Sequence, residues 1–158
     1  AGINSPTRGI FAGGGSDAPN HTKKDEIDFI TIDSTGNATD FGNLVAGTDR
    51  VIGFSSPTRG ITFGGITGNP GTTVNTVNFV TIASTGNAID FGDMTHQRRN
   101  HAMLSSSTRA IIGGGESPST INVMDYVEIG TLGNALDFGD LHAPNTRSGS
   151  TSSGHGGL

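Results

Sequence analysis

The chain of 158 residues is long enough for one domain with a hydrophobic core, although its apolar fraction of 32% and charged fraction of 15% are both low. A net charge of -5 and a total of 9 lysines and arginines provide no basic surface, so we expect no nucleic-acid partner. Cysteine is absent, which excludes disulfides and thiolate chemistry, and the chain lacks the run of about 20 apolar residues that a membrane-spanning helix needs.

One unit of about 50 residues recurs three times along the chain. Arg8, Arg59 and Arg109 are equivalent, at separations of 51 and 50 residues. Equivalent asparagines follow at separations of 50 and 47, namely Asn37, Asn87 and Asn134. This periodicity is typical of repeat proteins, in which one supersecondary unit packs on the next. We divide the chain into repeats 1–49, 50–99 and 100–141, followed by a Gly/Ser-rich tail at 142–158.

Each repeat is predicted to form four short strands. The first strand is predicted at 50–55 and 101–105, with only a stub at 1–4 in repeat 1. The second is an apolar run that ends at consecutive glycines, at 9–12, 60–63 and 110–112. The third and fourth form a hairpin across a Gly-Asn turn, at 27–32 with 38–41, 77–83 with 88–91, and 124–129 with 135–138.

The third strand carries large apolar residues on both of its faces. Val77 and Phe79 alternate with Val80 and Ile82, which indicates a strand that is covered on both sides. Sheets stacked face to face provide that environment. We therefore expect two sets of aromatic residues in the core, Phe29, Phe79 and Tyr126 in the third strands and Phe41, Phe91 and Phe138 in the fourth.

Three segments vary in length and composition between the repeats and are predicted to be surface loops, at 16–26, 66–76 and 116–122. The tail at 142–158 contains almost no apolar residue. It is predicted to be either a flexible linker or a polar strand that complements the stub at the amino terminus.

The second strands with their glycines read GIFAGG, GITFGG and AIIGGG, and the third strands read IDFITI, VNFVTI and MDYVEI. At about 50 residues per unit, this pattern over residues 5–141 resembles the kelch repeat. The TRGIFxGG phrase of repeat 1 is also similar to repeats in structural proteins of marine bacteriophages. The resemblance implies four-stranded blades of a β-propeller that serve in binding or in building appendages.

Two features depart from the kelch pattern. Kelch blades usually carry a tryptophan after the tyrosine, whereas this chain has no tryptophan and only Tyr126. Three blades are also fewer than the four to eight of a closed propeller. The ring would be completed by a second chain, by a further portion of the polypeptide, or not at all. The alternative fold is a three-sheet β-prism or a β-trefoil, which closes with three repeats in one chain.

The recurring arginines are accompanied by recurring aspartates in the fourth strands. One interpretation is a ring of ligand-binding charges. The other is an arginine–carboxylate pair or an arginine–backbone bond that ties each unit to itself or to its neighbour. Because sites usually diverge among repeats while scaffolds do not, we expect structural roles. These structural repeat positions are Arg8, Arg59, Arg109, Asp40, Asp90, Asp137, Asn37, Asn87, Asn134, Phe41, Phe91 and Phe138.

No motif in the chain indicates catalysis or a cofactor. The GxSxG, Walker and HExxH motifs are missing, so we predict that the protein is not an enzyme. Residues 33–40 have carboxylates spaced like a calcium loop, but Asp33 is replaced by Ala83 and Gly130 in the other repeats, so no metal is expected. The five histidines follow no ligand spacing and are expected in loops or at the surface. Asn20 begins an N-glycosylation sequon.

Two functions fit this sequence. The first is a non-enzymatic structural or adhesive subunit of an extracellular or virion appendage, a fibre or filament that self-associates through its incomplete terminal repeats. The cysteine-free, Ser/Thr-rich composition is compatible with an exposed extracellular or virion protein. The start at Ala1 rather than Met indicates either a removed signal or pro-segment or a piece of a longer chain, and we favour export or processing. The alternative is a lectin-like module that binds carbohydrate or protein through the three variable loops. Those loops contain no aromatic residue to stack on a sugar.

Overall fold

The computed structural model describes residues 1–16 and 21–152, in which all regular structure is β. Three consecutive sheets of four or five strands confirm the predicted all-β fold of three tandem repeats. The first sheet contains β1 (Gly2–Asn4), β2 (Arg8–Gly15), β3 (Lys23–Thr31) and β4 (Thr39–Asn43). The second contains β5 (Thr48–Asp49), β6 (Ile52–Ser55), β7 (Arg59–Thr67), β8 (Thr72–Thr81) and β9 (Ile89–Asp93). The third contains β10 (Ala102–Ser105), β11 (Arg109–Gly113), β12 (Val123–Glu128), β13 (Leu136–Asp140) and β14 (Thr151–Ser152).

The sheets are antiparallel meanders whose main strands lie in chain order. The short β5 pairs with β7 beyond the end of β6, and β14 pairs with β10. The first strands of the three sheets lie side by side, since β1 contacts β6 and β6 contacts β10. The fourth strands β4, β9 and β13 lie at the opposite edges. The sheets are therefore arranged like blades around the side that is formed by β1, β6 and β10.

The predicted loop at 66–76 is mostly a hairpin. Ile66 pairs with Thr73 and Thr67 with Thr72, because the β-branched residues of this segment extend the ladder between β7 and β8. In repeat 1, β3 likewise begins at Lys23, inside the predicted loop at 16–26. The third predicted loop, at 116–122, contains only isolated bridges.

The consecutive glycines after the apolar run of the second strands allow the linker to the next repeat to approach closely. Gly64 has a φ of 53°, and a Cβ at this position would collide with the carbonyl oxygen of Arg98. Gly114 has a φ of 66° and faces Asn145 O in the same way. A side chain at either position would combine backbone strain with a steric clash.

The hydrophobic core lies between the sheets, in two clusters that each join neighbouring repeats. The cluster between repeats 1 and 2 contains Ile3, Ile10, Ala12, Ile27, Phe41, Leu44, Val80, Ile82 and Ala88. The cluster between repeats 2 and 3 contains Phe54, Ile61, Phe63, Val77, Phe91, Met94, Met103, Ala110, Ile112, Val127, Ile129 and Ala135. Each sheet therefore has a leading face, directed at the preceding repeat, and a trailing face, directed at the following repeat. The second sheet has Val80, Ile82 and Ala88 on its leading face and Phe54, Ile61 and Phe91 on its trailing face.

The expectation that Phe138 belongs to the core is wrong. Phe41 and Phe91 are only 2% and 3% exposed, whereas Phe138 is 45% exposed. The first two lie on trailing faces that a following sheet covers, but no sheet covers the trailing face of repeat 3. The other aromatic set is half-buried, and each member packs edge-on against the phenylalanine of its own fourth strand.

The three repeats do not close on themselves as a prism or trefoil would. Ile32, on the leading face of repeat 1, is 48% exposed, and Phe138, on the trailing face of repeat 3, is 45% exposed. Because both outer faces are open to solvent, the chain forms an open row of three sheets.

The tail follows the path of a linker between repeats. Gly115 N donates to Asn145 O at 2.8 Å, as Gly65 N donates to Arg98 O at 3.0 Å in the linker from repeat 2 to repeat 3. Beyond this point β14 runs parallel to β10, with Thr151 opposite Leu104. Thr151 is the tail residue that corresponds to Leu104 of repeat 3. Because β14 therefore places corresponding residues side by side, it lies where the first strand of a following repeat would lie.

Candidate functional site

The recurring arginines connect each repeat to the next. Arg8 Nη1 donates to Ile82 O at 2.7 Å, and Arg59 Nη1 donates to Ile129 O at 2.7 Å. In both cases the acceptor follows the third strand of the following repeat. Of the two structural roles considered for the recurring arginines, a carboxylate pair or a backbone bond, these contacts are the backbone bond.

An aromatic ring of its own repeat holds each arginine in place. The guanidinium carbon lies 4.4 Å from the ring centroid of Phe29 for Arg8 and 5.0 Å from that of Phe79 for Arg59. The guanidinium of Arg109 lies 4.4 Å from the ring centroid of Tyr126. Such cation–π contacts fix the guanidinium plane while leaving its N–H groups free to donate.

The recurring aspartates act locally and do not pair with these arginines. Asp90 Oδ1 accepts from Gly92 N at 3.2 Å, and Asp137 Oδ1 accepts from Gly139 N at 3.1 Å. Among the described residues, no ion pair joins Asp40, Asp90 or Asp137 to a recurring arginine. The carboxylates of Asp90 and Asp137 therefore stabilise the backbone of their own fourth strand, two residues further on.

The recurring asparagines form the second connection between repeats. Asn87 Oδ1 accepts from Asn43 N at 3.0 Å, and the neighbouring Gly86 N donates to Phe41 O at 2.7 Å. The turn of the third repeat, at Gly133 and Asn134, makes the same bonds to Phe91 O and Asp93 N, at 2.9 and 3.1 Å. Each hairpin turn is therefore bonded to the fourth strand of the preceding repeat.

The two ends of the row lack these connections. Arg109 has no following repeat, and its Nε donates to Glu128 Oε1 at 2.8 Å within its own sheet. Threonines, Thr31 and Thr81, occupy the position of Glu128 in the other repeats. At the opposite end, the turn at Gly36 and Asn37 is exposed, and among the described residues it makes no such bond to another repeat.

A buried ion pair joins repeats 2 and 3, and its combination of arginine and aspartate does not recur at the equivalent positions of the other repeats. Arg98 Nη2 lies 2.8 Å from Asp125 Oδ2, and both side chains are fully buried. Arg98 Nη1 also donates to Val123 O at 2.9 Å, and Thr95 Oγ1 donates to Asp125 Oδ1 at 2.6 Å. Asp125 is equivalent to Asp28 and Asn78, so a polar residue recurs here while the ion pair does not.

His101 lies beside this ion pair in the linker that precedes β10, a loop position as expected, but its side chain is buried and does not lie at the surface. Its side chain is 1% exposed, and neither ring nitrogen has a hydrogen-bond partner among the described residues. Burial lowers the pKa of His101 from 6.5 to about 3, and the positive charge of Arg98 adds to this effect. His101 is therefore neutral at physiological pH.

The other predicted positions contribute no further cluster. Asn20 lies outside the described residues, and Asp33 lies exposed in the first hairpin turn. The described part of the chain brings no three His, Asp or Glu side chains together in a way that could hold a metal ion. Nor does that part contain a helix of the length and hydropathy that crossing a membrane requires.

An open groove of about 690 Å³ lies between repeats 1 and 2, near the first two variable segments. Its lining is polar and consists of His21, Thr22, Lys23, Gly47, Thr67, Gly68 and Asn69. The described part of this lining contains no phenylalanine, tyrosine or tryptophan.

No protein-family model and no curated protein matches this chain. Among solved structures, the chain is similar to the structure of YjhT, with a TM-score of 0.74 and 8% sequence identity. The alignment covers 92% of this chain and 52% of YjhT, so the chain spans about half the length of the structure that it matches. At this identity the similarity shows the fold alone.

Proposed function

We propose that this protein is a non-enzymatic structural or adhesive subunit of an extracellular or virion appendage, and that it works by association of its repeats. The proposal depends on one observation: the recurring polar side chains form hydrogen bonds between neighbouring repeats. Arg8, Arg59, Asn87 and Asn134 all bond to a neighbouring repeat. The same interface recurs between the repeats, and one half of it is left open at each end of the row. This arrangement suits a chain that associates with further copies.

The resemblance to kelch and phage structural repeats supports the same role, as does a surface rich in Ser, Thr, Gly and Asn. Negative-stain electron microscopy beside light scattering tests this proposal on the purified chain. We expect particles that contain more than one copy. A single copy at every concentration reached would contradict an assembly role.

The alternative is a lectin-like module that binds carbohydrate or protein, and the polar groove between repeats 1 and 2 is the observation in its favour. Its Lys23 and Asn69 offer hydrogen-bond donors and acceptors to a hydroxylated ligand. A glycan array probed with the parent chain and with Asn69→Ala tests this function. Binding that Asn69→Ala abolishes would support it, and an array without signal would exclude the glycans represented.

A further inference from the structure

The leading face of repeat 1 is an interface half without its partner. Ile32 is 48% exposed, whereas its counterparts Ile82 and Ile129 are 2% and 3% exposed against the preceding sheet. Phe11 is 56% exposed, whereas its counterpart Ile112 is fully buried. Ile32 and Phe11 are as apolar as their counterparts in the inner interfaces. The leading face of repeat 1 therefore has the composition of an interface.

The trailing face of repeat 3 is the opposite half. Leu104 is 50% exposed, whereas its counterpart Phe54 is 5% exposed. Phe138 is 45% exposed, whereas its counterpart Phe91 is 3% exposed. Exposed apolar residues that cluster on one face mark an interaction surface.

The polar groups of these two faces are complementary as well. Inside the chain, the arginine of one repeat donates through Nη1 to the carbonyl after the next third strand. Arg109 makes its bonds to Glu128 through Nε and Nη2, which leaves Nη1 available, and Ile32 carries the corresponding carbonyl at the other end. The turn at Gly36 and Asn37 likewise matches the fourth strand of repeat 3.

We propose that a second copy of this chain covers both faces. Repeat 1 of each copy packs through its leading face on the trailing face of repeat 3 of the other copy. Phe11 and Ile32 of one copy meet Leu104 and Phe138 of the other, and Arg109 Nη1 donates to Ile32 O. This inference rests on the proposed self-association and names its partner and contacts.

Two copies are the number that closes this arrangement. The contact joins two different faces, so it must close into a ring or continue as a filament. Three repeats are too few for a propeller ring, while six lie within the range of four to eight. YjhT, whose fold this chain shares, is about 1.8 times as long as the chain, since one alignment covers 92% of this chain and 52% of YjhT (0.92/0.52). Two copies with three repeats each therefore fit the number of blades in a propeller ring and come close to the length of YjhT.

Closure requires β14 to leave its position beside β10. The first strand of the second copy, β1, would lie there, as β6 lies beside β1 and β10 beside β6 inside the chain. Only two residue pairs, Leu104 with Thr151 and Ser105 with Ser152, hold β14 beside β10. β14 gives way because the arriving copy brings the apolar contacts of its whole leading face, whereas Thr151 and Ser152 contribute no large apolar side chain.

Sedimentation velocity of the full-length chain over a range of concentrations tests this proposal. We expect the parent to sediment with the mass of two copies. Phe138→Asp and Ile32→Asp should each raise the dissociation constant at least about 100-fold, because each places an unpaired carboxylate in the interface. The matched controls are Leu136→Asp and Ile89→Asp. Each replaces a residue that is 58% exposed, and Ile89 keeps this exposure although both of its neighbouring repeats are present.

The controls should change the dissociation constant by less than about threefold, as surface substitutions usually do. An equimolar mixture of Phe138→Asp and Ile32→Asp should pair more tightly than either alone, because the mixture contains one unmodified contact. A circular dichroism spectrum like that of the parent and a cooperative thermal transition show that each variant is folded, while loss of the second copy itself lowers the melting temperature.

Three outcomes would overturn the inference. A two-copy particle that resists both substitutions would show that these faces are not the interface, and open-ended polymers would exclude the closed ring. Both results leave the assembly role intact. A parent that stays a single copy at every concentration would overturn the inference and the proposed function together.

Discussion

At the scale of single residues, Arg59 shows how one side chain joins two repeats. Its guanidinium stacks on Phe79 of its own repeat and donates to Ile129 O of the next. A planar group can do both, since its N–H donors lie in the plane that the ring supports. The recurrence of this arginine was visible in the sequence. Its partner was not, because a backbone carbonyl has no residue type to mark it.

Phe91 and Phe138 occupy equivalent positions and should differ sharply in their contribution to stability. Phe91 is 3% exposed, so Phe91→Ala should lower the free energy of unfolding by about 3–5 kcal/mol. Phe138→Ala serves as the matched control and should cost less than about 1 kcal/mol, because that ring is half exposed in the single chain. Urea titrations at concentrations where one copy prevails measure both values. A loss well below 1 kcal/mol for Phe91→Ala would remove Phe91 from the core.

His101 should make the folded chain sensitive to mild acid. Its pKa is about 3 in the folded chain and 6.5 when unfolded, so the unfolded state takes up the proton first as the pH falls. The stabilisation that neutral His101 provides is complete above pH 6.5 and is lost progressively towards pH 3. About 2 kcal/mol should be lost by pH 5. Urea titrations of the parent and of His101→Leu at pH 7 and pH 5 measure this loss, which an equal pH dependence of the two proteins would contradict.

At the scale of elements, the hairpin turns illustrate what sequence patterns reveal. Thr-Gly-Asn between two apolar runs predicts a hairpin, and the third and fourth strands flank these residues. The connection is longer than the predicted tight turn: residues 32–38 separate β3 from β4, and the hydrogen-bonded turn, Ser34 N to Thr31 O, precedes Gly36 and Asn37. The turn's contact with the preceding sheet at Gly86 and Asn87 depends on tertiary packing, so no local pattern indicates it. The segment at 66–76 was predicted to be a loop because of its Gly and Asn residues. It is mostly a hairpin, because its β-branched residues pair with each other across the two strands.

β14 is expected to compete with a second copy for the edge of β10. Shortening the chain after Arg147 removes this strand and should tighten the association of two copies by about 3- to 10-fold, because more of the protein is then ready to bind. The matched control is a chain that ends at Ser152, which keeps β14. Sedimentation of the two shortened proteins compares their dissociation constants. Equal or weaker association without β14 would contradict this role of the strand.

At the scale of the whole molecule, the chain is a row of three sheets with a repeated interface. That interface occurs twice inside the chain, with an arginine–carbonyl bond, a docked turn and an apolar cluster on each occasion. Its two separate halves lie at the ends of the row. Periodicity alone predicted the three sheets. It could not show that the terminal faces are open, because identical repeats have identical patterns whether or not a neighbour covers them.

In the proposed assembly the leading face of one copy meets the trailing face of another, and the absence of cysteine from the chain allows this contact to be tested directly with single cysteines. Within the chain, Asn87 contacts Asn43, so in the assembly Asn37 of one copy should contact Asp140 of the other. Asn37→Cys and Asp140→Cys proteins would be mixed and oxidised gently, with Ile89→Cys in place of either as control. We predict a two-chain disulfide product that forms efficiently only in the mixture of the first two variants. Equal product from each variant alone, or none from the mixture, would contradict the account.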